Sequence, residues 1–143
     1  MKPTRYASWR FVHPDLDAVE GTPGLRVSAT GGIELIEDAA SVRQAILLLL
    51  STRKGERVMR PDYGCDIHRL VFSPNDDTTA GLAIHHVRRA VERWEPRIDV
   101  LRIDAGVNPD DPARMDIFVE YRVRATQRTE DLNFGMSLIG EQL

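Results

Sequence analysis

Cysteine and lysine are almost missing from this chain of 143 residues: Cys65 stands alone, and of 19 basic residues only Lys2 and Lys54 are lysines. A lone cysteine excludes an intramolecular disulfide and a multi-cysteine zinc cage, so synthesis in the cytoplasm is the expected route. Long apolar runs are missing too. The longest, Ala45–Leu50, falls far short of the roughly 18 residues of a membrane span and suits one face of a buried helix. The opening MKPTRYASWRFVHPDLD is interrupted by Arg10, His13 and Pro14 before a signal-peptide core can form, so no secretion signal is expected. With a net charge of −3 there is no basic excess to attract nucleic acid or anionic lipid. No nucleic-acid partner and no membrane insertion are therefore expected. Neither GGIELIED nor GMSLIG fits a phosphate-cradling glycine loop, and no cofactor is expected.

What remains is the composition of a globular domain, 42% apolar and 29% charged, long enough to bury a core without staples. Because arginine supplies nearly all the cations, planar bidentate contacts at protein interfaces are favoured over diffuse ammonium charge.

Residues 1–30 mix Tyr6, Trp9 and Phe11 with Pro14, Gly21, Pro23 and Gly24 and show no sustained period, which predicts an irregular N-terminal arm. Its aromatics suit a latch onto the chain's own domain or an anchor for a neighbour. Ile33, Leu35 and Ile36 suggest a short extended entry. Asp38 can cap a helix with Val42, Ala45, Ile46, Leu49 and Leu50 on one face, Ser41 with Gln44 offering a second capping-box start, and the helix is expected to end near Ser51 to Lys54 with Gly55 as its stop. Asp66 to Phe72 can form a short helix with Ile67, Leu70 and Val71 inward. A cap at Asn75, Asp76 or Asp77 begins a second long helix, with Ala80, Ala83, Ile84, Val87, Ala90, Val91 and Trp94 at helical spacing. Pro96 ends it.

From Ile98 the period becomes two. Leu101, Ile103, Ala105 and Val107 alternate with polar residues, NPDDPA makes a turn, and Met115, Ile117, Val119, Tyr121 and Val123 alternate in turn. Leu132, Phe134, Met136 and Leu138 extend the meander. The predicted class is α+β, with two main helices packed on one face of a small antiparallel sheet formed by the C-terminal meander. The expected organisation is an arm over 1–30 and a single domain over 31–143.

Catalytic constellations do not assemble. Pro61-Asp62 resembles the start of a metal-dependent nuclease motif, but both lysines lie upstream of it. His85 and His86 project about 100° apart on a helix and cannot share a metal as an i, i+4 pair does. Cys65 near His68 lacks an orienting third group. Glu92 and Glu95 lie on one helix rather than across a sugar cleft, beside Arg88, Arg89 and Arg93, which suits solvation by ion pairs.

The order of motifs is more specific than any of them singly. R-Q-A-I (Arg43 to Ile46), T-x-x-G-E-R-x-M-x-P-x-Y-G (Thr52 to Gly64), V-F-x-P (Val71 to Pro74) and W-E-P-R-I (Trp94 to Ile98) follow one another before a hairpin ending in MDIFVEYRVRAT. This resembles the baseplate wedge and sheath-initiator family of contractile phage tails, which also supplies type VI secretion systems, over about residues 31 to 126. The resemblance implies a non-enzymatic assembly role at a baseplate of about sixfold symmetry, in a phage tail, type VI system or extracellular injection particle. It implies docking of Glu95, Pro96 and Arg97 on the helical core bundle of the wedge. It further implies exchange of strands with sheath subunits through residues 99–107, 115–126 and 130–139, with Arg122, Arg124 and Phe134 as contact positions. Tube or hub proteins are further expected partners. Because a lysozyme label has been attached to parts of the family, it also implies an alternative, a peptidoglycan-cleaving lysozyme-like hydrolase with Glu92, Glu95 and Asp99 as its available acids.

Overall fold

The computed structural model describes residues 7–9, 11–12, 24–25 and 35–139, with side chains from 39 onward. The chain divides into two compact units, Met1–Leu48 and Leu49–Leu143. In the first, strand β1 (Ala7–Trp9) pairs antiparallel with β4 (Leu35–Glu37), Ala7 opposite Glu37, and β2 (Phe11–Val12) pairs with β3 (Gly24–Leu25). The arm thus contributes three short strands, too brief for their alternation to register as a period. The latch expected of Tyr6, Trp9 and Phe11 concerns side chains outside those described. Helix α1 (Asp38–Ser51) begins in this unit and buries Val42, Ile46, Leu49 and Leu50 of the expected face, while Ala45 is only half-buried and Leu47, not expected there, is buried as well.

In the second unit a loop leads to a 3-10 turn, η1 (Asp66–Leu70), which buries Ile67 and Leu70. Gly55 has φ of +91° but lies within the loop, beyond the end of α1. Gly64 is needed for two reasons: its φ is +138°, and a Cβ there would stand 2.7 Å from the Thr52 carbonyl. Helix α2 (Asp77–Trp94) is capped by Asp76, whose carboxylate accepts from the Thr79 N–H at 2.9 Å. Asn75 does a different job, donating to the Pro112 and Arg114 carbonyls at 2.8 Å and so fixing the helix start to the sheet. Ala80, Ala83, Val87, Ala90 and Val91 are buried on α2, and the helix packs chiefly on β5 (Ile98–Val107). Small alanines on that face let helix and strand approach closely.

Strands β5, β6 (Arg114–Val123) and β7 (Arg128–Ser137) form an antiparallel meander in that order. Met115, Ile117, Val119, Tyr121 and Val123 of central β6 are all buried on one face. On β7 the same face carries Leu132, Phe134 and Met136, opposite Val119, Ile117 and Met115. The observed strands fit the predicted α+β class and meander, with one correction within β5. The register shifts between Val100 and Arg102, so Leu101 is the extra residue of a bulge. Val100 stays opposite Tyr121 and Ile103 falls opposite Val119, both on the core face, although their separation is odd. Leu101 is 43% exposed and Ile103 only 8%.

Two outcomes follow. Ile103→Ala lowers the unfolding free energy by about 2–4 kcal/mol, as a cavity in a packed face does, whereas Leu101→Ala costs under about 1 kcal/mol; urea titration of both variants reads the difference. The second concerns His68, whose pKa is lowered by burial and then by Arg53, and whose Nε2 is buried without a hydrogen-bond partner among the described residues. A depressed histidine contributes stability above its unfolded value of 6.5 that is lost as pH falls below it. Thermal unfolding between pH 7.5 and 5 should show that loss, with a shallower slope in His68→Gln.

Candidate protein-docking surfaces

The corner between α2 and β5 is built from Trp94, Glu95, Pro96 and Arg97. The Glu95 N–H closes the last helical turn on the Val91 carbonyl at 2.9 Å, and Pro96 offers no N–H to continue it. Glu95 is only 5% exposed. Arg97 donates from Nε to Oε1 at 2.6 Å and from Nη2 to Oε2 at 2.8 Å, a bidentate clamp that occupies both carboxylate oxygens. The Arg97 carbonyl accepts from the Arg124 N–H at 2.9 Å, tying the corner to the end of β6. The two charges of the motif therefore bind each other. Glu95 faces inward, and Arg97 remains partly exposed.

Beside the corner, arginines stack on rings. Tyr63 meets Trp94 edge-on at 5.4 Å, Arg57 lies 4.3 Å over Tyr63, and Arg93 and Arg60 lie 4.9 and 5.9 Å over Trp94. Burial raises the Tyr63 pKa against the lowering effect of Arg57. The loop carrying these arginines is closed by backbone hydrogen bonds, Gly55 N–H to the Pro61 carbonyl at 2.8 Å and Cys65 N–H to the Thr52 carbonyl at 2.9 Å. Val58 and Met59 project from it, 94% and 91% exposed.

On the outer face of the sheet Asp99 holds Arg124 at 2.8 Å and Arg122 at 3.6 Å, and Arg102 pairs with Asp104 at 3.1 Å. Arg122 and Arg124 thus share a single carboxylate, which leaves the cluster with a net charge of one positive unit, while Phe134 belongs to the core. β7 is an edge, with no strand beyond it among the described residues. The Leu138 N–H bonds to the Ala113 carbonyl, so by antiparallel alternation the even-numbered residues of β7 bond to β6. Thr129, Asp131, Asn133, Gly135 and Ser137 direct their backbone groups outward. At the end of that edge Phe72, 81% exposed and held at φ of +71°, donates its N–H to the Leu138 carbonyl at 2.6 Å. It borders a groove lined also by Asn75, Pro112, Leu138 and Ile139.

The groups tested for chemistry stay dispersed. Glu92 pairs with Arg88 at 3.7 Å, and Asp62 with Arg93 at 3.9 Å. Among the described residues no three His, Cys, Asp or Glu side chains are placed to hold a metal ion. Burial pushes the Cys65 thiol up to about 11, so it is protonated and a poor nucleophile at neutral pH. No helix of the described residues is long and apolar enough to cross a membrane. Arg57 and Met59 are positions of the loop motif read in the sequence, but neither they nor Val58 and Arg60 were singled out as contact residues. Their one signal was an apolar pair inside a loop otherwise marked by glycine, proline and charge.

The clamp sets an expectation for stability. Arg97→Ala leaves a buried carboxylate unpaired and should cost about 2–4 kcal/mol, whereas Arg124→Ala removes an exposed partner and should cost under about 1 kcal/mol. Equal costs in denaturant titration would mean that the corner pair behaves as an ordinary surface ion pair.

Residues 36–128 match the family model described as baseplate wedge protein gp25. The baseplate wedge protein gp25 of Enterobacteria phage T4 is 30% identical over 92 residues, covering 64% of this chain and 67% of the phage protein. A solved structure from Geobacter sulfurreducens, named as a tail lysozyme, has a TM-score of 0.65 and 40% identity, covering 72% of this chain and 95% of its own. A chain of the anti-feeding prophage baseplate shares the fold, with a TM-score of 0.59 at 18% identity over 92% of this chain and 86% of that one. A chain of the type VI secretion baseplate complex does so too, at 0.52 and 17% over 69% and 92%. The matched span runs from β4 through both helices and the β5–β6 hairpin to the first residue of β7, and the chain belongs to the baseplate wedge protein gp25 family.

Proposed function

We propose that this chain is a structural, non-enzymatic component of the baseplate of a contractile tail or injection particle, joining the wedge to the sheath. In this reading it is made in the cytoplasm and built into the particle. The Glu95-Pro96-Arg97 corner meets the core-bundle proteins of the wedge, with the clamp fixing the direction of the Arg97 side chain and lowering the entropic cost of presenting it. The edge of β7 receives a strand from a sheath subunit and so templates the first sheath ring. Residues 1–30 supply a further contact, to a tube, hub or wedge protein.

The observation that carries the reading is the outer edge of β7, which no further strand of the described residues covers. Natural edges are blunted by proline, lysine, bulges or covering elements. RTEDLNFGMS carries the charges of Arg128, Glu130 and Asp131 but neither proline nor lysine, and its register against β6 runs without a bulge. Its outward N–H and C=O groups form a ready ladder for strand addition. The name of the Geobacter structure favours a hydrolase instead. Geometry argues against it, because Glu92, Glu95 and Asp99 are each engaged by arginine and both Glu95 oxygens are occupied.

Backbone direction provides the test. Asn133→Pro deletes an outward donor and should leave the purified chain folded, since proline is tolerated where an edge N–H faces solvent. Leu132→Pro deletes a donor to β6 and should unfold it. In particles viewed by electron microscopy, Asn133→Pro should give baseplates without sheath. Full-length sheath at the unaltered frequency would refute templating by this edge.

A further inference from the structure

The loop between α1 and η1 holds its most apolar residues in solvent. Val58 and Met59 are almost wholly exposed, yet the loop is closed at Gly55–Pro61 and Thr52–Cys65 and further turned by Arg60 N–H to the Arg57 carbonyl at 3.3 Å. Hydrogen bonds of this kind fix the backbone, so the exposure belongs to a defined conformation. The flanking Arg57 and Arg60 have no carboxylate within ion-pair distance among the described residues, unlike Arg88, Arg93, Arg97, Arg122 and Arg124. Instead they lie over Tyr63 and Trp94. A cation–π contact of this kind engages the guanidinium charge without using its N–H groups, so these remain available to an acceptor.

We infer that Arg57-Val58-Met59-Arg60 is a preorganised docking knob for a protein partner with an apolar socket rimmed by carboxylates. The socket receives Val58 and Met59, and the rim accepts bidentate hydrogen bonds from Arg57 and Arg60. Charge complementarity favours this occupant: in a chain of net charge −3 the knob is flanked by two cations that have no carboxylate partner among the described residues. Arginine selects planar acceptors over diffuse negative charge. A lipid surface fits less well, because two aliphatic side chains without an amphipathic helix or acyl chain make a poor anchor. The knob belongs to neither the β7 edge nor the Glu95–Arg97 clamp, so the inference stands apart from the strand-addition reading.

Site-specific photocrosslinking in the producing cells tests it. The full chain carries p-benzoylphenylalanine in place of Val58 or, separately, of Met59, with the exposed Leu82 position on α2 as control. Adducts are mapped by mass spectrometry, and incorporation of the chain into particles is scored separately in the same cells. The expected result is an adduct from the loop positions, absent from the control, on one protein segment with Asp or Glu beside apolar residues. Its yield should fall about tenfold or more in R57E/R60E, since reversed charge opposes the rim, and by less than about twofold in R88E. Circular dichroism of the purified double variant should match the parent, these side chains being exposed. The inference is overturned by the absence of a loop-specific protein adduct, by an adduct on lipid or nucleic acid, or by an adduct indifferent to R57E/R60E in the folded variant.

Discussion

A buried carboxylate must be paired, and at the end of α2 that requirement is met by the residue two positions on. Glu95 lies inside the second unit with both oxygens held by Arg97, across a proline that stops the helix between them. Unpaired, the charge would oppose folding; paired, it fixes where α2 stops and where β5 starts. The Arg97 carbonyl then holds the end of β6, so one ion pair joins helix, edge strand and central strand. The packing of α2 on β5 and the hairpin register both begin from this corner.

The sheet inherits a second constraint at its other end. Asn75 bonds two carbonyls around the β5–β6 turn and the start of β6, while the Phe72 N–H takes the Leu138 carbonyl after β7. The element before α2 thus holds the meander where the corner does not. The left-handed backbone at Phe72 is costly for a bulky residue, and no burial of its ring offsets that cost. Between these fixed ends the bulge at Leu101 keeps both halves of β5 facing the core.

Apolar surface and charge are also divided in space. Met115 to Val123 on the core face of β6 and Leu132 and Phe134 of β7 are buried, and the outer face carries Asp99 with its two arginines and Arg102 with Asp104. The most exposed apolar side chains are Val58 and Met59 in the loop and Phe72, which with Ile139 borders the groove, while Leu82 on α2 and Leu101 and Val107 on β5 are exposed to about half or less. For a member of a baseplate family, two separate apolar sites together with an open strand edge are the features a subunit with several neighbours would present.

Local patterns made several features legible in the sequence. The helical period of α2, the alternation of β6, the cap among Asn75, Asp76 and Asp77 and the stop at Pro96 depend on neighbours a few residues away, and the structure places each as read. The ordered motifs likewise made the family readable, because order survives without knowledge of contacts. Spatial facts were not legible. Period two predicted Leu101 on the core face, but only the pairing with β6 decides which residue a bulge expels. Pairing of Glu95 with Arg97 was one of two compatible roles open to these charges, and only the assembled corner shows that the pair forms, which leaves docking through Arg97 compatible with it. The strands in the arm rest on partners up to about 30 residues away, Ala7 with Glu37 among them, and no short window contains both. Sequence by itself determined the elements from α1 onward, their order and the family, since these follow from local propensity and motif. Tertiary structure alone decided which charges are spent inside the fold and which apolar residues are left outside it, because burial is a property of assembled neighbours.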